Sequence, residues 1–256
     1  MWCVRADMPC KSYRGDKMKV VRDQGLGVRE KRVKTKHSLA PNYYSLTTKH
    51  ENIVIAGVGG QGILFTSRII GETVLRSNMD VLTSEIHGMA QRGGVVVSTV
   101  KIGNVSSPLI ADAEADIVIA FEPAEALRAA NKMSENTTVI INTNPIIPFP
   151  ISLGKEKYPK MEYILSEIKK RCEKLLTIDA NRLAQHAGSG ITMNTVMIGA
   201  FSQFSVLSKK KIKETIRKNV HKKYVDVNMR AFELGCKAVK HDSSMQNAEG
   251  KLKNAK

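Results

Sequence analysis

Apolar positions along this chain fall into short continuous runs, separated by longer stretches that are apolar on one side only. The first run, Asn52 to Ala56, ends in Gly57-Val58-Gly59-Gly60-Gln61-Gly62, and a helical pattern follows to about Arg76. A second run begins near Val81 and gives way to the polar segment Ser84 to Gly94, punctuated by glycines, which reads as a loop. Gly94 to Ile102 is β-branched with partial alternation, which predicts a strand. Ala115 to Phe121 is another buried run, and Glu122-Pro123 opens a helix through Lys132, where proline suits the first turn.

Thr137 to Asn142 predicts the next strand. Thr143 to Pro159 carries four prolines and predicts a long irregular loop. A helix over Lys160 to Lys174, a strand over Leu175 to Ile178 and a short helix to His186 capped by Asp179 follow. Thr192 to Leu207 is an apolar helical stretch, with small residues at Gly199 and Ala200 that suit close packing against a sheet. Lys209 to Lys222 has Ile212, Ile216 and Val220 on one side of a basic helix. Tyr224 to Val239 is the last helical pattern, and the polar tail from His241 is expected to fray. Short buried strands alternating with helices predict an α/β, Rossmann-like fold: a mostly parallel sheet, helices on both faces, and further helices at the C-terminal end.

Charge changes this picture only at the ends. The formal net charge is +16, yet residues 51–200 hold 14 Lys/Arg against 15 Asp/Glu. Residues 1–50 contribute +8 and residues 201–256 contribute +9. A neutral body without aromatics interleaved among the basic residues argues against a nucleic-acid-binding role. The first fifty residues have no sustained apolar period, so they are expected to form a basic, disordered extension. A second reading is that the functional chain starts near Lys49. On either reading, residues 51–240 are expected to be the working domain and 241–256 a polar tail. No apolar run reaches the roughly 18–20 residues a membrane span requires. Four scattered cysteines (Cys3, Cys10, Cys172, Cys236), with no CxxC pair, offer no self-contained zinc or iron–sulfur motif and suit a reducing cytoplasm.

Two stretches carry candidate chemistry. Gly57-x-Gly59-x-x-Gly62, between a strand and a helix, matches the dinucleotide-binding pattern, with Glu85 in the place of the ribose-binding acid. The same glycines also suit a compact turn with no ligand. The segment Ser84 to Gly94 brings Glu85, His87, Gln91 and Arg92 together among Gly88, Gly93 and Gly94. Arg92 could clamp a carboxylate or phosphate, and His87 could move a proton near neutral pH. Alternatively, Glu85, His87 and Arg92 satisfy one another and fix the loop against a partner subunit. No residue is assigned a catalytic role. Nothing in the sequence completes a nucleophile–base set, and no metal-ligand spacing occurs among the six histidines.

GVGGQG followed by SEIHGMAQRGG resembles the gamma-type domain of the 2-oxoacid:ferredoxin oxidoreductases. The wording from His87 to Gly94 favours the indolepyruvate branch over other gamma subunits. Further matching pieces are Ser107-Pro108-Leu109-Ile110, Glu122-Pro123-x-Glu125-Ala126-Leu127-Arg128, Ile141-Asn142-Thr143 and Asn194-x-x-Met197-x-Gly199-Ala200. The resemblance covers about residues 50 to 240. It implies a small (beta) subunit that acts with an alpha subunit in coenzyme A-dependent oxidative decarboxylation of an aryl 2-oxoacid, with electrons passed to ferredoxin. It also implies that thiamine diphosphate and iron–sulfur clusters sit on the alpha subunit, so that this chain alone binds no cofactor. On that reading Gly57, Gly59, Gly60, Gln61, Gly62 and Glu85, His87, Gln91, Arg92, Gly93, Gly94 face the alpha subunit or coenzyme A. A stand-alone NAD-binding protein is the alternative from another class.

Overall fold

The structure is a computed structural model and describes residues 50–88, 94–146 and 158–253. One sheet holds β1 (Glu51–Val58), β2 (Val81–His87), β3 (Val95–Ile102), β4 (Ile117–Ala120), β5 (Thr138–Asn142) and β6 (Lys174–Ile178). Their spatial order is β2-β3-β1-β4-β5-β6. β1, β4, β5 and β6 pair in parallel, while β3 runs against both of its neighbours, β1 and β2. The expected mostly parallel sheet is therefore present, with one strand reversed. The cause is local. Only residues 88–94 join β2 to β3, too few for the crossover that a parallel pair needs, so the two strands close as a hairpin.

Seven α-helices lie among the described residues: α1 (Ile63–Leu75), α2 (Pro123–Arg128), α3 (Met161–Lys169), α4 (Ala180–Ala187), α5 (Met193–Phe201), α6 (Lys209–Asn219) and α7 (Val225–Lys253). Alternate residues of β1 enter two different cores. Ile53 and Ile55 pack with Val100, Ile119 and Ile140 beneath α1 and α4 to α7. Val54 and Ala56 pack with Val118, Val139 and Ile141 beneath α2 and α3. Coverage on both faces explains why β1, β4 and β5 read as unbroken apolar runs.

Several boundaries differ from the sequence expectation. The segment Ser84 to His87 continues β2 rather than beginning a loop, because each of its residues pairs in register with β3. The helix expected from Lys160 to Lys174 ends at Lys169, and Lys174 already opens β6 opposite Thr138. The helix expected to reach Leu207 ends at Phe201. There Glu51 captures the chain, accepting from Ser205 Oγ at 2.6 Å and Val206 N at 3.1 Å. The last helix continues through the polar segment to Lys253 instead of ending near Val239.

Close packing at Gly199 is with a helix, not the sheet. A Cβ there would overlap the Phe232 carbonyl of α7, and one at Gly235 would overlap the Val196 carbonyl of α5. The two backbones cross in direct contact, which only glycine permits at both points.

Candidate functional site at the strand tips and the β2–β3 flank

β1 ends in the glycine turn, and the structure gives each of its residues a different task. Gln61 is buried and folds back into the turn. Its Oε1 accepts from Val58 N at 2.7 Å, and its Nε2 donates to the Phe121 carbonyl, beyond the end of β4, at 2.9 Å. The same carbonyl accepts from Asn142 Nδ2, at the end of β5, at 3.1 Å. Asn142 Nδ2 also donates to Asn181 Oδ1, while Asn142 Oδ1 accepts from Ala180 N at the start of α4, at 3.0 Å. Two neutral amides thus tie together the ends of three parallel strands and one helix.

The glycines follow from this arrangement. A Cβ on Gly57 would lie 2.7 Å from Gln61 Oε1 and 2.9 Å from Phe121 Cβ, so Gly57 is required by the inward fold of Gln61. Gly62 has φ 83°, and a Cβ there would overlap the Asn194 side-chain amide. Gly60 has φ 101°, is exposed, and would meet nothing within 4 Å. Gly59 N donates to Gly94 O at 2.9 Å. In a dinucleotide-binding turn, the backbone at the second glycine is the part that approaches the pyrophosphate. Here its N–H is taken up by the chain itself.

Glu85 departs from the dinucleotide reading as well. It sits in β2, opposite Ser98 of β3, and β3 separates it from β1. Strands are about 4.8 Å apart, so this acid lies one strand further from the glycine turn than a ribose-binding acid on an adjacent strand. Glu85 and His87 are both exposed on the edge strand. Among the described residues neither side chain has a hydrogen-bond or ion-pair partner. Ile86 between them is 62% exposed, on the opposite side of the sheet from Glu85 and His87. Gln91, Arg92 and Gly93 lie outside the described residues. Gly94 is bound to the glycine turn through the Gly59 contact, and Gly88 N donates to Val95 O at 2.7 Å, closing the base of the hairpin. The structure therefore brings the two predicted stretches together through Gly59 and Gly94, while pointing Gln61 inward and leaving Glu85 and His87 outward.

A third cluster was missed by sequence reasoning as a site element. Glu122 is 1% exposed and caps α2, accepting from Glu125 N at 3.0 Å. It also accepts from the Tyr158 hydroxyl, which in turn accepts from Ala124 N at 3.2 Å. Burial, with the Glu122 carboxylate beside it, pushes the Tyr158 hydroxyl well above the usual phenol range. Burial also raises the Glu125 carboxyl, against the pull of Arg128. The Glu-Pro-x-Glu wording is thus a frame that anchors the chain where it returns to α3. The available signal was an acid immediately before a helix-opening proline.

Among the described residues no group of three or more His, Cys, Asp or Glu is placed to hold a metal. Cys172 and Cys236 pack on opposite faces of the sheet. These residues do not form an iron–sulfur ligand set. No helix among them is long and apolar enough to cross a membrane.

Comparison with known proteins agrees with the motif resemblance. Residues 52–238 match the family model "Pyruvate ferredoxin/flavodoxin oxidoreductase". The chain is 44% identical over 186 residues to the indolepyruvate oxidoreductase subunit IorB of Archaeoglobus fulgidus, covering 72% of this chain and 92% of that one. It is 27% identical to the common gamma subunit of the pyruvate/ketoisovalerate oxidoreductases of Pyrococcus furiosus, covering 68% and 89%. In fold it is similar to the gamma subunit of a keto/oxoacid ferredoxin oxidoreductase from Geobacter sulfurreducens, with TM-score 0.56, 19% identity, and coverage of 75% and 99%. The chain therefore belongs to the pyruvate ferredoxin/flavodoxin oxidoreductase family, in its indolepyruvate oxidoreductase small-subunit branch.

Proposed function

We propose that this chain is the small subunit of an indolepyruvate:ferredoxin oxidoreductase, working with a large alpha subunit in the cytoplasm. The complex converts an aryl 2-oxoacid and coenzyme A to the acyl-coenzyme A and CO2, and passes two electrons to ferredoxin. Thiamine diphosphate, when bound, supplies the carbanion chemistry of decarboxylation. We assign that cofactor and the iron–sulfur clusters to the large subunit, since the described residues here offer no ligand set for the clusters. The observation that carries the reading is the difference in identity: 43–44% to four IorB chains over nearly their whole length, against 27% to a pyruvate/ketoisovalerate gamma subunit.

Within that complex, this chain's task is contact. The exposed Gly60 backbone, Glu85 and His87 form the surface presented to the large subunit or to coenzyme A, and we assign Gln91, Arg92, Gly93 and Gly94 the same contact role. The burial of Gln61 removes it from that surface and gives it a structural task.

Co-expression with the large subunit tests the function. Indolepyruvate-dependent, coenzyme A-dependent reduction of ferredoxin is expected only when both chains are present. A chain that fails to associate, or that alone binds NAD saturably, contradicts the proposal.

A further inference from the structure

We infer that Gln61 is the positioning residue of the glycine turn, acting together with Asn142 through one shared acceptor, the Phe121 carbonyl. The inference rests on the reading above that the turn faces a ligand or the large subunit. The observations are geometric. Gln61 bridges from its own turn, at Val58 N, to the end of β4, at Phe121 O. Asn142 reaches the same oxygen from β5 and holds the first N–H of α4 with its other end. Gly57 carries no side chain because Gln61 occupies that space. Between these fixed points, Gly59 and Gly60 are the part of the turn that remains on the surface, and Gly60 is held at φ 101° with open space before it. Among the described residues no group accepts from Gly60 N or Gly62 N. The amide pair thus sets the direction in which the free backbone faces, without touching what arrives there.

Both ends of the Gln61 amide are needed. Its oxygen must accept from Val58 N, and its nitrogen must donate to Phe121 O. A carboxylate at this position keeps the first contact and places negative charge against a carbonyl oxygen in the second. A protonated carboxyl restores both, because its O–H can donate. The chemistry therefore gives Gln61→Glu a pH dependence that a mere space-filling role does not.

The experiment uses the full complex with the large subunit, with Gln61→Glu and Gln61→Leu compared with the parent. Hydrogen exchange of residues 57–62 is followed alongside the KM for coenzyme A and the dissociation constant of the two subunits. In Gln61→Leu, exchange in 57–62 is expected to accelerate about tenfold or more, with α3 and α6 unchanged. In Gln61→Glu, followed from pH 4.5 to pH 8.5, exchange relative to the parent is expected to be near parental at the acid end, where the introduced carboxyl is protonated, and to approach Gln61→Leu at the alkaline end, where it is ionised. The KM or the subunit dissociation constant follows the same pH course, with a smaller change in kcat. Parental exchange in Gln61→Leu overturns the positioning role, as does a Gln61→Glu variant whose ratio to the parent is flat with pH. Accelerated, pH-reversible exchange with parental KM and subunit affinity leaves the positioning role standing and overturns the reading of the turn as a contact surface. If Gln61→Leu yields no folded chain, the pH course of Gln61→Glu decides alone.

Discussion

The tips of β1, β4 and β5 and the flank formed by β2 and β3 differ in how their polar groups are used. At the tips, Gln61 and Asn142 are turned inward and satisfied within the chain. On the flank, Glu85 and His87 stand exposed on an edge strand. Buried, fully bonded amides rigidify a structure and are costly to disturb. Exposed, unpaired side chains contribute little to stability and remain available for contact. The glycine-rich motif that suggests a ligand is therefore mostly architecture, and the less familiar polar strand beside it is the free surface.

At the other end of β1 the buried polar group is ionisable, and its loss should be felt most. Glu51 is 4% exposed, and burial raises its carboxyl to about 7, even with Ser205 and Val206 donating to it. The folded pKa lies above the unfolded one, so folding takes up a proton. The associated stability is fully present below about pH 4.5 and is lost as pH rises through about 7. The loss amounts to about 3 kcal/mol at most. Urea denaturation of Glu51→Gln between pH 5 and pH 8 is expected to show a flatter profile than the parent. Asn142 variants keep the parental slope, because the tips are tied by neutral groups. An unchanged slope in Glu51→Gln removes this contrast between the two ends.

Asn142→Leu comes next. It leaves Ala180 N without its acceptor and takes one of two donors from the Phe121 carbonyl, which is expected to cost about 2–3 kcal/mol in urea denaturation. Gly60→Ala is smaller. The space is open, so only the strain of a positive φ remains, about 1 kcal/mol. A loss as large as that at Asn142 would mean the turn is packed where it is described as free. Smallest are Glu85→Ala and His87→Ala, each within about 0.5 kcal/mol of the parent in stability. A larger loss from either one would place it among the structural residues.

Much of the fold was legible because buried strands leave a direct mark. The runs at Ile53, Ile117, Val139 and Leu175 each became a strand. The reversed β3 was not visible, since the residue pattern of a strand does not encode its direction. It follows instead from the short connection 88–94. At the site, a glutamine among glycines looks the same in sequence whether it points out or in. Its orientation depends on the Phe121 carbonyl, 60 residues away in the chain. The end of α5 was set by Glu51, more than 150 residues earlier, and so escaped any local pattern.

If the free flank acts across an interface, the double variant Glu85→Ala/His87→Ala separates that role from any part in stability. The purified double variant is expected to keep the parental urea midpoint. In the reconstituted complex, either affinity for the large subunit falls or the KM for coenzyme A rises, by about tenfold or more. Parental assembly, parental KM and parental turnover in that variant would contradict the interface role.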